Sequence, residues 1–210
     1  NALDLESVHF ESANGTDLTV GLAEQAVWES AGSKNEKGVP FLPNIPTEEV
    51  FTSPDRMRVD GIVYSALPLV HNGQTVRDFW LRFEGGAVVD YGAKAGKDVL
   101  QHILETDENA VRLGEVALVS KNTPIRQSGI LFYDTLYDEN ASCHLALGMG
   151  FPECVKDGLS MDKDQLMAAG VNQSHTHVDF MVGSDDLNIW GVSADGTETP
   201  VFINGQWPWE

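Results

Sequence analysis

Cysteine is nearly missing: the 210 residues hold two, Cys143 and Cys154. They form no CxxC pattern, which excludes a small disulfide scaffold and fits reduced thiols in a cytoplasmic protein. Basic residues are scarce as well. Thirteen Lys and Arg stand against 32 Asp and Glu, for a formal net charge of −19 and a pI near 4.4. A field of that sign repels phosphate backbones and anionic lipid, so neither nucleic acid nor a membrane surface is an expected partner. It tolerates cationic ligands, metal ions and protonated amines among them. No apolar run approaches the ~20 residues of a membrane span, and the N-terminus lacks a charged-then-apolar signal pattern. Internal repeats and low-complexity segments are absent. The opening Asn1-Ala2 reads as a remnant of tag removal, which places the start of the chain in mid-protein.

What remains is the composition of a globular domain, 42% hydrophobic and 21% charged, with enough length for one sizeable core. "DLTVGL" (17–22) alternates Leu18, Val20 and Leu22 and predicts a strand. A loop rich in Gly, Ser, Lys and Asn (31–38) leads into "VPFLPNIPTEEVFTSPD" (39–55). Its four prolines exclude a regular helix and permit only short extended pieces such as "EVFT". Residues 56–70 and 75–93 predict strands, with Gly85-Gly86 as a hairpin turn. Val99, Leu100, Ile103 and Leu104 recur at helical spacing within 94–107. "VALVS" (116–120) and "GILFYD" (129–134) read as buried strands, and "DTLYDENASCHLAL" (134–147) as a second helix. Lys163 to Ala169, ended by Gly170, makes a third. The tail predicts a strand in "HVDFMVG" (177–183) and a hairpin turning at Asp195-Gly196. The fold class is α+β: one domain over 1–210, with two or three helices and a mostly antiparallel sheet that can curl into an open barrel.

Chemistry concentrates in a few places. In "SHTHVDFMVGS" (174–184), His175, His177 and Asp179 occupy alternate positions. On a strand they would share a face at a spacing of roughly 6.6–6.8 Å. Alternation alone leaves two readings, a wall of a metal site or the polar face of an ordinary strand. Glu115 stands directly before an apolar run, where an ionised carboxylate is costly unless paired or metal-bound. Glu48 and Glu49 lie in the proline-braced loop, and His144 lies among small and apolar neighbours.

Taken together and in this order, "NIPTEEVFTSPD", "LGEVALV", "ASCHLALG" and "HVDFMVGS" resemble the signature blocks of the M29 metallo-aminopeptidases, of the thermophilic aminopeptidase or PepS/AmpS type. "GTDLTVGL" near the start and "ING" near the end extend the resemblance from Asp17 to Trp207. The resemblance implies an exopeptidase that removes N-terminal residues from peptides with a water activated by two divalent metal ions. It implies Glu49, Glu115, His144, His177 and Asp179 as metal ligands, with His144 on a helix and Glu115 as the bridging carboxylate. Zinc, cobalt and manganese all suit such a nitrogen and oxygen donor set. His175 falls outside the ligand pair. By analogy with unrelated two-metal peptidases, Glu48, adjoining a ligand, is the candidate general base.

One position departs from the family pattern. Where relatives carry a tyrosine that assists at the reacting carbonyl, this chain has Phe151, and a phenyl ring donates no hydrogen bond. The resemblance also implies that 1–210 is the C-terminal, metal-binding half of a homodimeric two-domain enzyme, with an α/β domain preceding it. Two outcomes are therefore expected: a peptidase that is weak as an isolated half, or a metal-stabilised binding or dimerisation domain with reduced or no turnover.

Overall fold

The strands follow runs in which apolar residues alternate, and every ladder between them is antiparallel. A computed structural model describes all 210 residues. Leu5–Glu11 (β1) and Asp17–Leu22 (β2) open the chain as a hairpin. The proline-rich stretch holds only short strands: Glu29–Ser30 (β3), Ser33–Lys34 (β4), Pro40–Phe41 (β5) and Val50–Thr52 (β6). Longer strands follow in Pro54–Tyr64 (β7), Gln74–Glu84 and Ala87–Ala95, with the three-residue Leu69–His71 (β8) before the last two, β9 and β10. Gly85 and Gly86 make the β9–β10 turn with φ of 55° and 81°, a left-handed pair that residues with a Cβ resist. Lys97–Leu104 (α1) and Leu113–Leu118 (β11) come next. Two single-turn helices, Pro124–Gln127 (α2) and Thr135–Asp138 (α3), precede His144–Gly148 (β12). Lys163–Ala168 (α4), His177–Met181 (β13), Asn188–Ser193 (β14) and Glu198–Phe202 (β15) complete the chain.

Eight strands form a large sheet in the order β10-β9-β7-β2-β1-β14-β15, with β8 on β9, and five form a smaller one, β13-β12-β11-β6-β3. Both end in free edges, so neither closes into a barrel. Their facing sides share one core, in which Val8, Phe10, Leu18 and Leu81 of the large sheet join Val116, Leu145, Leu147 and Phe180 of the small one. Phe79 and Phe180 meet across the layers with ring centroids 5.8 Å apart. Helix α1 adds Val99, Leu100, Ile103 and Leu104, the stripe its spacing predicts. Helix α4 starts on a reciprocal cap, Asp162 accepting from the Gln165 N–H and Gln165 accepting from the Asp162 N–H, both at 2.9 Å. No helix is long and apolar enough to cross a membrane.

Two expectations are corrected here. Residues 129–134 form no strand, and Ile130, Phe132 and Tyr133 are exposed. The Phe132 and Asp134 N–H groups donate to the buried Asp138 carboxylate, at 2.9 and 3.2 Å, rather than to a ladder. The run 134–147 is not one helix. Asp134 caps α3, a 3₁₀ turn at Glu139–Ala141 follows, and Ser142 is fully extended, so His144 begins a strand. Strand β1, which the sequence reading passed over, pairs with both β2 and β14.

Both cysteines are free thiols, and both are inaccessible. The Cys143 thiol faces the N–H and C=O of Val119, and burial pushes it up to about 12. Burial, then the Glu153 carboxylate, pushes Cys154 up as well. The thiolate is the reactive form. Ellman's reagent will therefore titrate no thiol in the native protein and both after guanidinium unfolding; rapid reaction of either in the native state would contradict this packing.

Candidate metal centre

Strand register gathers the site. Glu115 on β11 lies opposite Ala146 on β12, and Ala146 lies opposite Asp179 on β13. Directly opposed residues share a sheet face, as do residues two apart on one strand. His144 is two positions from Ala146 and His177 two from Asp179, so all four project from the same side. Phe51 on β6 opposes Ala117, which opposes His144, and Glu49 is two positions before Phe51. The intervening Val116, Leu145, Leu147, Val178 and Phe180 point the other way, into the core. Small residues leave the room. Ala146 sits between the two acids, and Gly148 lies opposite His177 with φ of 105°, where a Cβ would come within 2.1 Å of the Thr176 carbonyl oxygen.

The five residues meet. His144 Nε2 lies 3.1 Å from Glu49 Oε2. His177 Nε2 lies 3.2 Å from Glu115 Oε2 and 3.1 Å from Asp179 Oδ1. The opposite ring nitrogens face carbonyls, His144 Nδ1 the Ser142 oxygen at 3.1 Å and His177 Nδ1 the Met149 oxygen at 2.8 Å. A carbonyl only accepts, so each Nδ1 carries its proton there and each Nε2 is turned toward the carboxylates. Donor atoms fall within 4.8 Å of one another in three sets: Glu49, Glu115 and His144; Glu115, His177 and Asp179; Glu139, His144 and Asp179. Glu115 is common to the first two. Glu139, from the 3₁₀ turn after α3, is a member that sequence reasoning missed.

Charge is crowded. Burial alone would lower the histidine pKa values, but Glu49, Glu115 and Asp179 outweigh it and raise His144 to about 10. Asp179 and Glu115 likewise outweigh burial at His177 and raise it to about 11. Burial, reinforced by Asp179, Glu49 and Glu115 against the pull of His144, lifts Glu139 to about 8. Burial also raises Glu115, whereas at Asp179 the His177 ring overcomes burial and holds the carboxyl low. Four carboxylates around two imidazoles, with Glu115 and His144 fully buried, are costly without a compensating cation. Such an oxygen and nitrogen donor set fits a divalent metal.

The site opens into a cleft of about 1040 Å³. The other sizeable cavity, about 440 Å³ beside Trp28 and Trp207, contains none of these groups. Glu48 is not brought in: its side chain is exposed, and its N–H donates to Asn140 Oδ1 at 2.7 Å. His175 is exposed too. Its N–H donates to the Asp107 carboxylate at 2.6 Å, and β13 begins only at His177. Phe151 lines the cleft with its ring centroid 5.0 Å from that of His177.

A family model described as thermophilic metalloprotease (M29) matches residues 1–207. Aminopeptidase AmpS of Bacillus subtilis (strain 168) is 50% identical over 201 residues, which cover 96% of this chain and 49% of that protein. The solved structure of wild-type AmpT from Thermus thermophilus superposes with a TM-score of 0.93 at 42% identity, covering 99% of this chain and 51% of that one. A 2,5-dihydroxypyridine dioxygenase from Pseudomonas putida KT2440 shares the fold alone, with a TM-score of 0.62 at 13% identity over 98% of this chain and 56% of that one. The chain spans about half the length of the curated relatives it matches. On the match over 1–207, the chain belongs to the M29 family of thermophilic metalloproteases.

Proposed function

We propose that this chain is the metal-binding half of a two-domain, homodimeric cytoplasmic aminopeptidase, in which Glu49, Glu115, His144, His177 and Asp179 hold two divalent ions and peptides lose their N-terminal residue. The observation that carries the reading is Glu115, a buried carboxylate common to two donor sets of different composition. Bound there, zinc, cobalt or manganese would supply Lewis acidity, lowering the pKa of a water and polarising the scissile carbonyl. The protein does the rest. Glu115 would be the carboxylate held in common, with Glu49 and His144 on one side of it and His177 and Asp179 on the other. The carbonyls of Ser142 and Met149 fix the imidazole tautomers through Nδ1. Glu139, beside His144 and Asp179 and outside the five proposed ligands, stands where Glu48 was expected; once bound cations had drawn its carboxyl into the ionised form, it would be the group to take up the water proton and return it to the leaving amine.

A second reading rests on Phe151, whose phenyl ring can neither donate a hydrogen bond nor deliver a proton. It makes the chain a metal-stabilised binding or dimerisation domain without turnover. Elemental analysis after metal reconstitution, paired with hydrolysis of chromogenic amino-acid amides, separates the two. Two equivalents of metal per chain with measurable amide hydrolysis is the expected result. Full occupancy without hydrolysis in the complete protein would favour the second reading. Full occupancy retained after Glu115→Ala with His177→Ala would refute the ligand assignment itself.

A further inference from the structure

The cleft carries a feature that the ligand set does not use. Phe51 and Phe151 meet edge to face, with centroids 5.5 Å apart at 70°, and Phe151 also leans on the His177 ring. Phe151 is held at both ends of its backbone by one buried residue. Ser53 Oγ accepts from the Phe151 N–H at 2.9 Å and donates to the Phe151 carbonyl at 3.2 Å. Ser53 is wholly buried where β6 passes into β7, so the pair forms a rigid apolar wall beside a ligand. Leu136 and Leu159 extend apolar surface along the same cleft, 38% and 81% exposed. The remaining charge is one-sided. Glu29 and Glu153 add to the carboxylates of the cluster, and Lys34 is the one ammonium lining the cleft.

On the aminopeptidase reading, on which this inference rests, the geometry of a peptide's first residue decides what meets this wall. In a peptide the first α-carbon lies between the terminal amine and the scissile carbonyl, the two groups such a site must hold. Its side chain therefore emerges within a few bond lengths of the ligands, and the surface waiting there is the Phe151 ring. We infer that Phe51 and Phe151 select the substrate's first side chain, so that this site takes peptides beginning with a large apolar residue and turns away those beginning with Asp or Glu. An apolar side chain loses water against the two rings. A carboxylate in the same place finds no hydrogen-bond donor on the wall and faces the acidic cleft.

Amino-acid hydroxamates, which chelate metal through a group common to all of them, test this without turnover. Leucine, alanine and glutamate hydroxamates would be titrated calorimetrically into the zinc-reconstituted protein. Leucine hydroxamate is expected to bind at least about tenfold tighter than alanine hydroxamate, since a few methylenes in an apolar pocket discriminate on that order, with glutamate hydroxamate weakest. In Phe151→Ala the ratio of leucine to alanine hydroxamate affinity collapses toward parity, whatever the change in affinity common to both. Phe151→Leu, which keeps an apolar side chain under the Ser53 clamp, gives an intermediate preference and covers a failure of the alanine variant to fold. Equal binding of leucine and glutamate hydroxamates, or a leucine preference untouched in both variants, would overturn the inference and leave the metal site standing. Failure of every hydroxamate to bind zinc-loaded protein would overturn the aminopeptidase reading along with it.

Discussion

Glu115→Gln leaves the metal-free protein folded and removes the stabilisation that zinc confers. The side chain is 4% exposed, and its carboxylate is common to the two sets that meet at β11. Glutamine keeps the volume and one acceptor oxygen but loses the charge and replaces the second oxygen with a donor. In the metal-free state this change costs little, because burial already pushes the Glu115 carboxyl toward its neutral form, which the amide resembles in shape and in keeping an acceptor oxygen. With metal the sign reverses. Loss of a partner outside the ligand shell alone costs about 10–100-fold in affinity, so losing a shared ligand should cost at least about a hundredfold. At saturating zinc a hundredfold loss withdraws about 2.7 kcal/mol of ligand-linked stability. For a chain of this length that corresponds to about 5–10 °C in Tm. Scanning calorimetry of both proteins, in chelator and in excess zinc, reads the effect directly. A zinc-induced rise in Tm as large in the variant as in the parent protein would remove Glu115 from the ligand set.

The legibility of this site in the sequence follows from which residues own a periodic signal. The pairing of His177 with Asp179 was readable because period-two alternation is local, and Val178 and Phe180 fill the opposite face as that pattern requires. His175 fits the same arithmetic but lies before the strand, where the Asp107 carboxylate takes its N–H and no ladder holds it. His144 had the same signal, since His144, Ala146 and Gly148 alternate with Leu145 and Leu147. The helix-capping Asp134 and the polar run after it masked that signal, and extended Ser142 marks the break. Val8 and Phe10 alternate in the same way, a local signal for β1 that went unread. "GILFYD" misled in the opposite sense: its apolar side chains suggest burial, yet the Phe132 and Asp134 amides are satisfied by Asp138, a partner from the following turn, and the Ile130 amide by Ser128 Oγ. Glu139 had no local signature at all. In "DENAS" it looks like any surface turn, and only the packing of that turn over the sheet brings it to His144 and Asp179. Glu48 and Glu49 differ by one residue, and one residue is a change of face: Glu49 shares the parity of Phe51, while Glu48 is left exposed.

The same parity makes a variant that replaces none of the proposed ligands the sharpest test of the site. Ala146 is fully buried on the face that carries Glu115 and Asp179, midway along the row between them. Opposed Cβ atoms in an antiparallel sheet lie about 4.5–5.5 Å apart, so the space above Ala146 is where the flanking carboxylates converge. Ala146→Leu places a branched side chain there. Every donor atom remains in the chain, but Glu115 and Asp179 are held apart and the shared position between them is filled. Metal content is expected to fall to background, and any amide hydrolysis with it, while overpacking costs about 1–3 kcal/mol and the far-ultraviolet circular dichroism stays that of a folded β-rich protein. Ala146→Gly supplies the contrast. It leaves the space open, sacrifices about 0.5–1 kcal/mol to backbone freedom and keeps its metal. If Ala146→Leu folded and still bound a full complement of zinc, the ligands would have to converge somewhere other than above the β11–β12–β13 row, and the register argument for this centre would fail.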